Sequence, residues 1–315
     1  MQHVEARRGG EQGEGQCGQT ARHGDVPSGE KLGAEVPMDA VNSHIGSVEV
    51  DVSRRNNVVV TGNPAGPVVL LAHGFGCDQN LWHRIVPDLA ERCRVVLFDH
   101  TGSGRSDVSA WSAERYSTLD AYADDVLAIC RELDLRDVVL VGHSVSAMVA
   151  VLAANREPER FAQLVLLTPS PCYVDDGDYR GGFSRADVDE LLAALESNYL
   201  GWSAAMAPVI AGNPDRPEVA EELKNSFCRT DPAIARVFAR ATFLSDNRED
   251  LRKVTVPTLV IQCAVDAIAP PEVGRFTHDQ IVGSKLVTLN AIGHCPQLSA
   301  PEMTAEAIME FVNGR

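Results

Sequence analysis

Seven short apolar runs, with segments of a different period between several of them, constrain this chain more than any other feature. They are NNVVVTG (56–62), PVVLLAHG (67–74), CRVVLFD (93–99), DVVLVGHS (137–144), QLVLLTP (163–169), PTLVIQC (257–263) and SKLVTLN (284–290). After the first, an early strand followed by the turn NPAG, the runs are continuous rather than alternating, as strands buried on both faces require. TLDAYADDVLAICREL (118–133), SAMVAVLAANR (146–156), PPEVGRFTHDQI (270–281) and PEMTAEAIMEFV (301–312) instead repeat apolar residues at steps of three and four. That is the period of a helix laying one face on a sheet. The pattern predicts an α/β fold with a mostly parallel, doubly wound sheet.

The rhythm breaks between 170 and 252. That interval lacks a convincing strand but holds the helical stretches SRADVDELLAALESNYL, WSAAMAPVIA, PEVAEELKNSFC and DPAIARVFARATFL. Arg216-Pro217 and Asp231-Pro232 read as helix starts, because proline suits the first helical position. The interval is therefore expected to be a helical lid inserted after the sixth strand. It divides a core into a first part, 38–169, and a second part, 253–315. Residues 1–37, rich in Gly, Glu and Gln, carry too few large aliphatic side chains to offset chain entropy and are expected to be a disordered extension. Met38 is an alternative start for the folded part.

A formal charge of −16 argues against nucleic acid and anionic membrane surfaces as partners, since both need a basic face. No run approaches the ~20 apolar residues of a membrane helix, and the N-terminus has no apolar secretory core. The eight cysteines form no CxxC pair and no metal spacing, a distribution that fits a reducing, cytoplasmic location. No HExxH or His/Asp cluster suggests a metal, and no cofactor is expected. Gly102-Ser103-Gly104 starts like a dinucleotide loop, but the third glycine is missing and the run follows a middle strand, so a structural turn is expected.

Chemistry is expected where strand meets helix. Gly142-His143-Ser144-Val145-Ser146 joins VVLV to SAMVAVLAA, the setting of a nucleophile elbow, with Ser146 where the pattern G-x-S-x-G has its last glycine. Alone, this serine could equally be a helix cap. Three further features favour the elbow. His73-Gly74-Phe75-Gly76 follows PVVLLA, where backbone amides would face a developing oxyanion; Phe75 and Val145 are the expected donors. Asp266 follows TLVIQC and His294 follows KLVTLN, both at carboxyl ends of parallel strands. The order Ser144, Asp266, His294 is that of a triad in such a sheet. His143 reads as packing at the elbow and Cys295 as inert.

On these residues the chain resembles the RsbQ-type α/β hydrolases, which are similar to the plant strigolactone and karrikin receptor hydrolases. The likeness runs from about residue 55 to the C-terminus through LAHGFGCDQNLW, FDHTGSGRSD, RYSTLDAYADDVL, VGHSVSAMV, PSPCYVDDGDYRGGF, DPAIARVFARATFLSDNREDL and GHCPQLSAPE. GHSVSAM, with Ser146 for glycine, looks like the plant receptor form of the elbow. The resemblance implies the α/β-hydrolase fold, a four-helix V-shaped lid and an apolar pocket beside Phe75. It implies pocket walls of Tyr173, Phe183, Trp202, Met206, Phe243 and Ile268. Lid or core packing is the alternative role of each.

Two functions share this site. One is a serine hydrolase of a small apolar ester or lactone acting in stress signalling as RsbQ does, with a PAS/PP2C-type phosphatase as partner. The other is a metabolic carboxylesterase or lactonase, or a carbon–carbon bond hydrolase, with no signalling role.

Overall fold

A computed structural model describes residues 51–314; the expectations for 1–37 and for the first residues of the core lie outside them. The short helix α1 (Val52–Arg55) leads into β1 (Val59–Gly62). There follow β2 (Val68–Ala72), α2 (Val86–Ala90), β3 (Arg94–Leu97), α3 (Leu119–Glu132), β4 (Val138–His143), α4 (Val145–Arg156) and β5 (Phe161–Leu167). Four lid helices come next: α5 (Arg185–Ser197), α6 (Tyr199–Ala211), α7 (Pro217–Arg229) and α8 (Pro232–Phe243). The chain ends with α9 (Arg248–Leu251), β6 (Thr258–Val265), α10 (Pro271–Gln280), β7 (Lys285–Ile292), α11 (Pro296–Ser299) and α12 (Pro301–Asn313).

The sheet order is β1-β3-β2-β4-β5-β6-β7, with β1 antiparallel to β3 and every other pair parallel. Side-chain alternation explains the continuous apolar runs. Leu70, Leu140, Leu164, Leu166 and Val260 face one layer, built with α3 and α4. Their neighbours Val69, Val139, Val141, Val165 and Ile261 face the other, built with α2 and α12. With apolar contacts on both sides, buried polar residues in these strands are few and need partners, as Gln163 in β5 has in the Phe311 carbonyl.

The lid differs in detail from the sequence pattern. Counting the described residues alone, it follows the fifth strand. SRADVDELLAALESNYL does not form one helix: Asn198 leaves helical geometry (φ −150°, ψ 85°) and its side chain caps α6 by accepting from the Gly201 amide at 3.0 Å. An asparagine that bonds the next turn competes with helix continuation. Pro217 and Pro232 do open α7 and α8, and the Asp231 carboxylate accepts from the amides of Ala233 and Ile234. The first strand begins at Val59 because Asn56 turns inward, donating to the Asp99 carbonyl and Thr101 Oγ1.

Leu140 sits at the middle of β4 with no exposed surface. Leu140→Ala is expected to lower unfolding free energy by about 2–5 kcal/mol through lost burial and a cavity. Urea titration checks this, and a loss below about 1 kcal/mol would contradict a fully packed two-layer core.

Candidate active site

Register delivers the expected site residues to one edge of the sheet. Ala72 pairs with Gly142, so His73-Gly74-Phe75 leaves β2 beside the end of β4. The chain order reverses here, since β3 lies on one side of β2 and β4 on the other; ligands bind at such switch points. Val265 pairs with Ile292, which brings Asp266 and His294 together after β6 and β7.

Between β4 and α4 the chain turns through Ser144, which holds φ 57° and ψ −124°. A non-glycine residue there is strained by about 1–3 kcal/mol, tolerable only when its surroundings hold it. The Ser144 amide donates to the Leu167 carbonyl at 2.9 Å. A Cβ on Gly142 would stand 2.1 Å from the Ser146 carbonyl oxygen, so only glycine lets strand and helix approach this closely. Ser144 Oγ lies 2.7 Å from His294 Nε2, and His294 Nδ1 lies 2.7 Å from Asp266 Oδ2. All three residues are buried.

Burial alone would raise the Asp266 carboxyl; its electrostatic interaction and hydrogen bond with His294 and the amides of Ala269 and Ile268 outweigh that and hold it low. The carboxylate therefore stays charged beside the ring, oriented by donors on its other oxygen. His143 stands 2.9 Å through Nε2 from the His294 carbonyl oxygen, so Nε2–H donates and fixes the loop carrying His294. Its part at the elbow is thus more specific than general packing. Burial raises the Tyr173 phenol to about 12, opposed by a hydrogen bond with Ser144. Among the described residues, the amides of Phe75 and Val145 make no hydrogen bond to another backbone carbonyl. Gly74 keeps the loop close: a Cβ there would meet His143 Nδ1 at 2.7 Å.

A cavity of about 40 Å³ lies at Ser144 and His294 under the lid. Phe75, Tyr173, Trp202, Met206, Phe243 and Ile268 line it. Phe183 does not. It lines an outer groove along α5 and α6 whose floor shares Trp202 and Met206 with the cavity. Leu223 and Phe227, both buried on α7, are cavity residues that sequence reasoning missed, although their four-residue spacing marks one inward helix face. Phe75 is ringed by Trp202, Phe227, Phe238 and Phe243 at centroid distances of 5.6–6.3 Å. Trp202 Nε1 and Thr242 Oγ1, on cavity-lining residues, are buried without a partner. A larger depression of about 800 Å³ runs between the β1 side and α7, but none of Ser144, Asp266 or His294 lines it. The smaller cavity is the candidate site, because the chemistry is there.

The GSGRSD segment forms a turn with internal bonds, including Gly102 N–H to Ser106 Oγ at 2.9 Å. Cys77, Cys93, Cys130, Cys172, Cys263 and Cys295 are free thiols, and burial pushes the Cys295 thiol well up. Among the described residues no helix is long and apolar enough to cross a membrane.

The sequence profile of the Alpha/beta hydrolase family matches residues 69–307. A karrikin insensitive 2 receptor of Petunia hybrida is 37% identical over 263 residues, covering 83% of this chain and 97% of that protein. A strigolactone esterase of Pisum sativum is 36% identical over 254 residues, covering 80% and 94% respectively. The solved structure of a hydrolase from Oleispira antarctica is 41% identical and superposes with a TM-score of 0.82, covering 84% of this chain and 97% of that one.

Burial lowers the pKa of three histidines around the site: His73, His100 and His143, the last to about 3. The unfolded chain takes up these protons near pH 6.5, whereas the folded chain refuses them. Stability present above pH 6.5 is therefore lost as pH falls below it, for His143 by up to about 1.4 kcal/mol per pH unit down to about 3, with His73 and His100 adding in the same direction. Thermal midpoints are expected to drop between pH 7 and 5, before most carboxylates protonate. A flat profile over that range would refute the neutral assignment.

Proposed function

The chain belongs to the alpha/beta hydrolase family and is a serine hydrolase of the esterase type, and from that premise we propose that Ser144, His294 and Asp266 cleave a small ester or lactone. The observation that carries the assignment is the continuous relay of two 2.7 Å contacts from Ser144 to Asp266. His294 Nε2 takes the Ser144 proton as Oγ attacks the acyl carbon. The oxygen that becomes negative accepts from the amides of Phe75 and Val145, the latter at the first position of the twelve-residue α4, where the helix dipole favours negative charge. Collapse breaks the bond to the alcohol, which leaves with the proton from His294. Water then gives a proton to His294 and its oxygen to the acyl carbon; collapse breaks the acyl–Oγ bond, His294 returns the proton to Oγ, and the acid leaves with Ser144 regenerated. Asp266 orients the ring and stabilises its charged form throughout.

The aromatic walls favour an apolar substrate. The cavity holds little more than a water or two as it stands, so Phe75, Trp202, Phe227 or the lid must shift to admit it. The unpartnered Trp202 Nε1–H and Thr242 hydroxyl favour a ligand with an oxygen beyond the scissile group. A tight, lidded cavity and relatives named as both esterase and receptor support a signalling role; the RsbQ-like form of that role, with a PAS/PP2C-type phosphatase as partner, rests on the resemblance of the sequence motifs alone. The esterase relatives equally support a metabolic carboxylesterase or lactonase as the second reading.

Ser144→Ala is expected to reduce p-nitrophenyl acetate hydrolysis by a factor on the order of 10⁴ or more and to abolish fluorophosphonate labelling. Full labelling of that variant would remove Ser144 from the role. Signalling predicts slow turnover together with ligand-induced stabilisation, about 2.7 kcal/mol at a hundredfold excess over Kd. Rapid cleavage of many esters without a thermal shift would favour the metabolic reading.

A further inference from the structure

Beneath the elbow runs a hydrogen-bond chain that the acyl steps above do not use. Ser146, fully buried near the start of α4, places Oγ 2.5 Å from the His73 carbonyl oxygen and 2.7 Å from His100 Nε2. His100 Nε2 is also 3.1 Å from that carbonyl, while the His100 amide donates to His73 Nε2 at 3.0 Å. His73 Nδ1 lies 2.9 Å from the Gly74 carbonyl oxygen.

These contacts assign every proton. His73 Nε2 accepts, so its proton sits on Nδ1 and goes to Gly74. Two oxygens 2.5 Å apart need a proton between them, and only the Ser146 hydroxyl supplies it. Ser146 Oγ has then spent its proton, so His100 Nε2 must be the donor toward it. His100 Nδ1 is left buried, unprotonated and unpartnered. Burial keeps both rings neutral, consistent with this arrangement.

The chain joins the elbow helix to the first residues of the loop that carries Phe75. On its other side the loop has no slack, because Gly74 already packs against His143 and Ser144. We infer that Ser146, braced by His100, is a positioning residue that fixes the distance between Ser144 Oγ and the Phe75 amide through the His73 carbonyl. The inference rests on the Phe75 amide serving as an oxyanion donor. Ser146 thus replaces with a hydrogen bond the freedom that glycine would leave at this place in the elbow.

An interaction that aligns an oxyanion donor acts in the transition state more than in substrate binding. Losing such a donor outright costs about 10²–10³ in kcat, and loosening it should cost less. Ser146→Ala is expected to lower kcat about 10–100-fold on p-nitrophenyl acetate, with KM changed less than about twofold. Affinity for a trifluoromethyl ketone, which forms a tetrahedral oxyanion on Ser144, should weaken by the same factor. Ser146→Gly, which leaves the close approach at Gly142 intact, replaces the alanine variant if that one fails to fold, with the same expected values. An unchanged kcat and inhibitor affinity, with only a lower Tm, would make Ser146 merely structural and overturn the inference. Ser144→Ala run in parallel separates the two claims: if it is inert while the Ser146 variants are unaffected, only the positioning role fails. If it remains active, both fail.

Discussion

Strand β4, held between β2 and β5 with all six residues buried, sets the position of everything at the site. Its ladder bonds and two-sided apolar burial leave it no alternative register, because a slip of one residue would exchange the two packed faces. The chain must therefore leave the sheet at Gly142-His143-Ser144 and nowhere else. The strained Ser144 backbone follows from having to turn at once into α4, itself packed on the sheet. Strain of about 1–3 kcal/mol is small against the burial that holds both flanking elements.

Around that fixed point burial and hydrogen bonding set the charge of the ionisable groups in opposite directions. Asp266 is kept charged by its amides and His294, while His143, His73 and His100 are kept neutral by burial. The contrast is chemical. A charged carboxylate is needed beside a ring that must accept a proton, whereas the neutral histidines act as fixed hydrogen-bond donors and acceptors. His143 bonds the carbonyl of His294, and His100 with Ser146 bonds the carbonyl of His73. The two loops flanking Ser144 are thus each held by a buried histidine.

The lid has a different physical character. Its helices meet the core through aromatic rings, with Phe75 in contact with rings from α6, α7 and α8. Such contacts are non-directional and can be remade by small rotations, so the cavity volume follows from rotamers and lid position rather than from ladder bonds. The site thus has a floor set by the sheet and a roof set by side-chain packing.

The sequence by itself determined the sheet, the order Ser144, Asp266, His294 and the helical character of 170–252. These rest on local periods and on motifs at strand ends, which are written in adjacent residues. The break at Asn198 was also local, but its capping signal was masked because the apolar period carries across it from Leu195 to Tyr199. Only the tertiary structure decided that Phe183 stands outside the cavity while Leu223 and Phe227 line it, because lid side chains are placed by packing between helices distant in sequence. The same holds for Ser146. As a sequence letter it is a small residue in place of glycine; its hydrogen bonds to His73 and His100 exist because β2, β3 and β4 converge at one sheet edge.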